Sequence, residues 1–196
     1  MLAWRGAFLR APIRHNSPMR SLVDHLSNYA DYHRDRRNIA THFVGIPMIV
    51  FGIEAFLARP ALPLGGTSVS VAMVATLLAM VFYFVLDRRF GVAMTAFFGA
   101  SFWLGSVIAA QSTTLWLVGA TSLFLGGWVI QFVGHYFEGK KPAFVDDLIG
   151  LLVGPLFIVA EAGFALGMRR ELREEIERRS GPTRGRSLAL STDGNR

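Results

Sequence analysis

The feature that most constrains this fold is a stretch from residue 90 to residue 137 that contains no Asp, Glu, Lys or Arg. A membrane-spanning helix needs about 20 predominantly apolar residues, so this stretch is long enough for two spans. The polar residues 111–114 divide it and predict a turn between them. Hydrophobic residues make up 52% of the 196-residue chain and charged residues 17%, which is too apolar for an ordinary soluble domain. The chain is therefore predicted to be an integral membrane protein.

Three more apolar runs, residues 43–58, 66–86 and 148–167, lie outside that stretch. Basic residues flank the runs at alternate boundaries, and they are Arg34, Arg36, Arg37, Arg88, Arg89, Lys140 and Lys141. Basic residues concentrate on the cytosolic side of membrane proteins, which puts the N-terminus, the Asp87 loop and the Glu138 loop on that side. Four crossings satisfy this arrangement.

The run 148–167 does not fit a simple fifth crossing, because crossing would export the basic segment that follows it. We therefore expect a re-entrant or interfacial helix bent at Pro155, with Glu161 facing protein or water. The alternative is that the short run 43–58, which contains Glu54, does not span. The predicted fold is an all-α polytopic membrane bundle with four spans plus a re-entrant or fifth helix.

The two ends of the chain differ from this apolar middle. Residues 1–20 are basic and contain no acid, which is typical of a targeting or disordered segment. Residues 180–196 are small and polar and are predicted to be disordered. Residues 21–179 are expected to form one membrane-embedded domain. The net charge is +6, but the excess basic residues lie in the tails and at span ends, which argues against nucleic-acid binding.

Residues that could perform chemistry lie in two segments at the predicted cytosolic boundary. The first, GWVIQFVGHYFEGKKPAFVDDL, places His135 and Glu138 three residues apart on one helical face. The second, YHRDRRNIATHFVGIP, contains His33 and His42. Nine residues turn an unbroken helix by about 900°, so these two imidazoles can share a ligand only if the helix breaks between them. We expect the break within residues 38–41, with His33 on a preceding surface helix.

The chain has no cysteine, so any metal must be held by nitrogen and oxygen atoms. Three imidazoles and a nearby carboxylate at one membrane depth form a possible site for Fe(II), Zn(II) or Mn(II), and they come from His33, His42, His135 and Glu138. Two other interpretations stay open. An interfacial histidine can be a hydrogen-bonded anchor, and Glu138 can be a loop acid paired with a lysine.

These two segments, together with the later GPLFIVAE, resemble the Mpo1-like family over about residues 21–170. The resemblance implies a membrane-embedded, Fe(II)-dependent dioxygenase that removes one carbon from 2-hydroxy fatty acids, a step of α-oxidation. In eukaryotic members this reaction serves phytosphingosine breakdown at the endoplasmic reticulum. The resemblance also implies that His33, His42 and His135 hold the metal and that the family's acid is Glu138. The expected location is the endoplasmic reticulum in a eukaryote or the inner membrane in a bacterium, with the metal at the cytosolic face.

A 2-hydroxy acid can chelate iron through its carboxylate and hydroxyl while O₂ binds beside it, and its tail would lie among the membrane helices. Arg37 and Lys141 are expected to steer or hold the substrate carboxylate, although the same basic residues also fit topology signals that bind anionic lipid. The competing function is a non-enzymatic small membrane protein, a transporter or assembly factor, whose histidines bind nothing. A di-iron hydroxylase is disfavoured, because the chain has five histidines and no HxxxH or HxxHH cluster.

Overall fold

The computed structural model describes residues 21–142 and 149–185. Over these ranges the chain forms seven α-helices and one two-stranded β-hairpin. The elements in chain order are α1 (Leu22–Ala30), α2 (Arg36–Ala58), β1 (Ala61–Leu64), β2 (Thr67–Ser70), α3 (Val71–Leu86), α4 (Arg88–Ala109), α5 (Thr113–Glu138), α6 (Gly150–Ala165) and α7 (Arg170–Ser180). The basic segment 1–20 and the last part of the predicted tail, residues 186–196, lie outside the described residues.

Helices α2 to α5 form an antiparallel bundle in which α2 packs against α3, α4 and α5. Three of them, α2, α4 and α5, are long and apolar enough to cross a membrane. Helix α3 is equally apolar but has 16 residues, which at 1.5 Å per residue gives about 24 Å against a hydrocarbon core of about 30 Å. The prediction of an all-α polytopic membrane bundle is confirmed.

The second apolar run, residues 66–86, is helical only from Val71 onwards. Its first residues belong to β2, which pairs antiparallel with β1. Gly65 and Gly66 connect the two strands with φ angles of 55° and 89°. A two-residue hairpin turn of this kind needs positive φ at both positions, which glycine adopts without steric cost. Because hydropathy cannot distinguish an apolar strand from an apolar helix, the sequence-based span is too long at its start.

Helix α2 continues without a break from Arg36 to Ala58, so the expected break within residues 38–41 is wrong. The helix begins at Asp35, whose carboxylate accepts a 2.8 Å hydrogen bond from the backbone N–H of Arg37. The chain therefore changes direction within residues 31–35, and His33 lies in this connection rather than on α1. This early start also gives the first span 23 residues, enough to cross.

The run 148–167 contains α6, whose two ends lie at the same end of the bundle. Gly150, at its start, lines the same cavity as His42 near the start of α2. Arg169, just beyond its end, forms a 2.9 Å ion pair with Asp87, which connects the end of α3 to the start of α4. In the antiparallel order of the bundle, these connections face the same side. An unbroken helix with both ends on one side lies along the membrane boundary, which fits the interfacial alternative of the sequence-based expectation.

The bend in this region differs from the expected one. Pro155 lies inside α6, which continues through it, and the chain instead turns by 117° between α6 and α7. Glu161 on α6 lies 3.7 Å from the guanidinium of Arg34, so its carboxylate faces protein. The pairing reduces the cost of keeping a charged group beside apolar helices.

Helices α2 and α5 approach each other closely at two facing glycines. A Cβ atom added to Gly127 would lie 2.7 Å from the backbone oxygen of Gly45 and 3.0 Å from the backbone nitrogen of Ile49. A Cβ atom added to Gly45 would lie 2.9 Å from the backbone oxygen of Gly127. Small residues let membrane helices pack with their backbones in near contact. Both helices carry histidines, so this contact sets the distance between the two sides of the site.

We predict that Gly127→Ala lowers the stability of the detergent-solubilised protein by about 1–3 kcal/mol, because its new methyl group meets backbone atoms that cannot rotate away. The matched control is Gly99→Ala on α4, where an added Cβ meets nothing within 4 Å. That variant should unfold at the wild-type temperature or slightly above it. Thermal unfolding followed by circular dichroism measures both, and equal midpoints for the two variants would contradict the packing argument.

Candidate metal centre

Three of the predicted site residues, His33, His42 and His135, meet at the N-terminal end of α2. They come from the α1–α2 connection, from the second turn of α2 and from the last turn of α5, and each is at most 6% exposed. Their ring centroids lie 4.4 to 5.1 Å apart. One ring nitrogen from each lies within 4.8 Å of the others, which is close enough for one ion to reach all three.

Hydrogen bonds fix the tautomers of two of these rings. The Nδ1 atom of His33 lies 2.7 Å from the backbone oxygen of Tyr29, and the Nδ1 atom of His42 lies 2.8 Å from the backbone oxygen of Asn38. A carbonyl oxygen only accepts, so both Nδ1 atoms carry hydrogen and donate. Both Nε2 atoms therefore present lone pairs, and they face each other at 2.9 Å. Two lone pairs at this distance repel unless a cation lies near both.

The remaining properties of the cluster also fit a metal ion. Burial, followed by the nearby ring of His42, holds the pKa of His33 well below its usual range, so the ring is neutral and able to bind a cation. The Nδ1 atom of His135 is buried and has no hydrogen-bond partner in the described part of the chain. In His33 and His42, the ring nitrogen that faces away from the cluster donates a hydrogen bond to a backbone carbonyl. Such a bond is the usual support of a metal-ligating histidine.

An aromatic wall encloses His33. The ring of Tyr29 stacks on it with centroids 4.1 Å apart and an interplanar angle of 3°, and Phe157 of α6 lies 5.6 Å from it. This role of Tyr29 was not predicted from the sequence, although residues four apart, such as Tyr29 and His33, often lie close together. His25 lies outside the cluster, with its ring 6.1 Å from Phe82.

Glu138 joins the end of α5 to the connection that carries His33. Its side chain is fully buried, and its Oε2 atom accepts hydrogen bonds from the backbone N–H groups of Arg34 at 3.0 Å and Asp35 at 2.7 Å. The same oxygen accepts a third bond from the side-chain amide of Asn38 at 3.1 Å. These contacts assign Glu138 a positioning role beside the cluster, and a part in the chemistry stays a prediction.

The other oxygen of Glu138 is bound by the C-terminal segment. The Arg184 guanidinium donates to Oε1 at 2.9 Å, and the Arg184 backbone bonds to Arg34 and Arg36 on either side of the helix start. Arg34, which is 4% exposed, donates to the backbone oxygen of Gly181 at 3.0 Å. Residues 181–185 thus pack on the site, where the sequence analysis expects disorder. Arg184 is one of three arginines in this small, polar tail, and no spacing distinguishes it from the other two.

The two residues expected to bind the substrate carboxylate lie at the same end of the bundle. The Arg37 guanidinium pairs with Asp35 at 2.7 Å and lies 4.6 Å from the ring centre of Phe137. Lys141 is exposed beyond the end of α5. Neighbouring Lys140 donates at 2.7 Å to the backbone oxygen of Asp31, in the connection that carries His33.

A cavity of about 320 Å³ begins at His42 and His135 and continues between α2, α5 and α6. Its wall is mainly apolar and includes Ile46, Ile49, Ile53, Phe124, Trp128 and Leu151. One polar side chain in this wall, Gln131, is 5% exposed. The arrangement combines a polar, nitrogen-rich end with a long apolar wall, which suits a ligand with a polar head and a hydrocarbon tail.

Comparison with known proteins agrees with this geometry. A family model described as 2-hydroxy-palmitic acid dioxygenase Mpo1-like matches residues 19–166, which include all three histidines and Glu138 but not Arg184. The chain is 30% identical over 158 residues to the 2-hydroxy-palmitic acid dioxygenase MPO1 of Saccharomyces cerevisiae, covering 80% of this chain and 87% of that protein. No solved structure matches. The chain belongs to the Mpo1-like family.

Proposed function

We propose that this protein is an iron-dependent dioxygenase that shortens 2-hydroxy fatty acids by one carbon. The observation that carries the proposal is the cluster of His33, His42 and His135 at the polar end of an apolar cavity. The printed name of the yeast relative, a 2-hydroxy-palmitic acid dioxygenase, supports the same substrate class. A non-enzymatic transporter or assembly factor would not need buried, mutually facing nitrogen lone pairs.

The three histidines would hold the metal. Bound Fe(II) would supply the electrons that make O₂ reactive, which Zn(II) cannot do because it has no accessible redox chemistry. The backbone oxygens of Tyr29 and Asn38 keep His33 and His42 in the tautomer that directs Nε2 towards the shared point. The hydrogen bonds of Glu138 keep the His33 connection against α5.

The overall reaction balances without another reductant. Breaking the bond between the first and second carbons of a 2-hydroxy acid, with oxidation by one O₂, yields the acid one carbon shorter, CO₂ and water. The hydrocarbon tail would occupy the cavity between α2, α5 and α6, where apolar side chains exclude water from the site.

The proposed location of the centre is the cytosolic face of the membrane, in the endoplasmic reticulum of a eukaryote or the inner membrane of a bacterium. Arg36, Arg37, Lys140 and Lys141 lie at the histidine end of the bundle, which supports this orientation. We propose that Arg37 and Lys141 attract the substrate carboxylate at this end. On substrate binding, Arg37 would break its surface ion pair with Asp35 and form one with the substrate carboxylate.

We predict that purified protein loaded anaerobically with Fe(II) retains about one metal per chain and that His33→Ala, His42→Ala and His135→Ala each lose most of it. Each variant removes one of three ligands, and the remaining pair binds a divalent ion weakly. The control is His25→Ala, which removes a buried histidine outside the cluster. Elemental analysis after desalting measures the ratio. Wild-type protein without stoichiometric metal would argue for the non-enzymatic alternative, and equal retention by all four variants would show that the three histidines do not hold the metal.

We also predict O₂ uptake by the iron-loaded protein on addition of 2-hydroxyhexadecanoic acid, with formation of the C15 acid. His135→Ala should reduce the rate to background, since the proposed chemistry requires the metal. An oxygen electrode and mass spectrometry of the extracted lipids follow both changes. Iron-loaded wild-type protein that consumes no O₂ would contradict the proposed reaction.

Removal of the Glu138 carboxylate should weaken metal binding at least about tenfold, because groups that orient metal ligands typically contribute 10- to 100-fold. Glu138→Ala leaves the backbone N–H groups of Arg34 and Asp35 unpaired beside His33. Arg184→Ala should have a smaller effect, because the Arg184 side chain is 58% exposed. Arg178→Ala, which removes an exposed pair with Glu175, serves as the control.

Competition with a fluorescent chelator measures these affinities. The conservative variant Glu138→Gln separates the two possible roles of this residue, since it keeps an acceptor oxygen for the His33 connection. Loss of O₂ uptake in Glu138→Gln at unchanged metal affinity would identify Glu138 as a catalytic residue instead of a positioning residue.

A further inference from the structure

Gln131 is a buried polar side chain in the cavity wall that the proposed metal centre does not use. It lies on α5 one helical turn before His135, so both side chains point to the same face of the helix. It is 5% exposed, and its Oε1 atom is buried without a hydrogen-bond partner in the described part of the chain. Buried amide oxygens are nearly always paired in native proteins, so an unpaired one calls for a partner that binds later.

The packing around Gln131 holds the amide in this position. On the opposite helix, a Cβ atom added to Gly45 would lie 3.1 Å from the Cγ atom of Gln131 and 3.3 Å from its Cδ atom. Gly45 itself follows His42 by one helical turn. The amide therefore lies against the backbone of α2, one turn from a proposed metal ligand on each of the two helices.

Two structural explanations of Gln131 do not account for these contacts. A glutamine between membrane helices often bonds across the interface, yet the Oε1 atom of Gln131 has no such bond within the described residues. A second explanation is support of the neighbouring ring of His135. The Nδ1 atom of that ring also lacks a partner, so the amide does not bond to it.

A carboxamide is complementary to the head of a 2-hydroxy acid. Its oxygen accepts one hydrogen bond and its nitrogen donates, whereas the acid offers a hydroxyl donor and a carboxylate acceptor on adjacent carbons. The last torsion of glutamine is broad and roughly two-fold, so oxygen and nitrogen can exchange places without moving the rest of the side chain.

We propose that Gln131 determines specificity for the 2-hydroxyl group, by accepting a hydrogen bond from this hydroxyl and donating one to the neighbouring carboxylate. The inference rests on the proposed function, because it requires the fatty acid to occupy this cavity. A fatty acid without the hydroxyl leaves the amide oxygen buried and unpaired. Sites that hydrogen-bond a substrate hydroxyl discriminate strongly against the analogue that lacks it for the same reason.

The test is equilibrium binding to the full-length, iron-loaded protein without O₂, so that no turnover occurs. The probes are 2-hydroxyhexadecanoic acid and hexadecanoic acid, measured by isothermal titration calorimetry in detergent. Gln131→Leu should bind the hydroxy acid about 5- to 100-fold more weakly, as expected when one buried hydrogen bond is lost. Its affinity for hexadecanoic acid should fall by a clearly smaller factor, because that acid loses only the bond from the amide nitrogen to its carboxylate and has no hydroxyl to pair with the amide oxygen.

Gln131→Met, which matches the length of glutamine, should repeat this result if Gln131→Leu is poorly folded. The control is Gln111→Leu, at the other end of the bundle, where the amide donates to the backbone oxygen of Val107. Both affinities should be unchanged in this variant. An equal loss for the two acids in both Gln131 variants would overturn the inference, since it would show that the amide only shapes the wall.

The result also separates this inference from the proposed reaction. Selective binding that depends on Gln131, in a protein that consumes no O₂, would support the inference and contradict the dioxygenase proposal. O₂ uptake with a 2-hydroxy acid at wild-type selectivity in Gln131→Leu would support the reaction and overturn the inference. Wild-type protein that binds the two acids equally would also overturn it.

Discussion

The buried carboxylate of Glu138 is the interaction on which the histidine cluster depends. Its Oε2 atom accepts hydrogen bonds from two consecutive backbone N–H groups, those of Arg34 and Asp35, immediately after His33. These groups have no partner within a helix, because they lie in the connection before α2 begins. The carboxylate therefore joins two segments that are about a hundred residues apart in sequence, the connection after His33 and the end of α5, and so brings His33 close to His135. Arg184 balances its charge from the solvent side, so a segment outside the family match completes the arrangement.

Much of this arrangement could be predicted from the sequence because its signals are strong and local. The uncharged runs predict the helices of the bundle. The basic residues at alternate ends of these runs predict that the connections carrying His33 and His135 lie on one side of the membrane. The family resemblance added that these histidines act together. The predicted position of the helix break was wrong because Asn38 and Asp35 are equally suitable N-cap residues by sequence. Only the hydrogen bond between the Asn38 side chain and Glu138, which forms in the folded structure, distinguishes them. No hydrophobic or charge periodicity in the sequence predicts the contact between Arg184 and Glu138.

The distance between α2 and α5 links the packing of the bundle to the chemistry of the site. At Gly45 and Gly127 the two backbones approach so closely that neither helix could carry a methyl group there. Towards the membrane surface, the same two helices present His42, one turn from Gly45, and His135, about two turns from Gly127. On the side of the two glycines away from the histidines, larger side chains form the apolar cavity wall. The helices stay close there as well, since a Cβ atom added to Gly52 would lie 2.8 Å from the backbone nitrogen of Phe124. The close packing of these two helices thus links the position of His42 and His135 to the position of the cavity.

Several polar groups that reduce the stability of the fold lie together at the histidine cluster and the adjoining cavity wall. Two Nε2 lone pairs face each other at 2.9 Å, the Nδ1 atom of His135 is buried without a partner, and so is the Oε1 atom of Gln131. Each would lower stability in a protein that bound nothing, since buried polar groups are normally paired. A cation would remove the repulsion between the two Nε2 lone pairs. A ligand with a hydroxyl and a carboxylate would pair with the amide of Gln131. Because anything that binds the native state stabilises it, binding of metal and substrate here would raise the free energy of unfolding. These unpaired groups therefore lie where the proposed chemistry would use them.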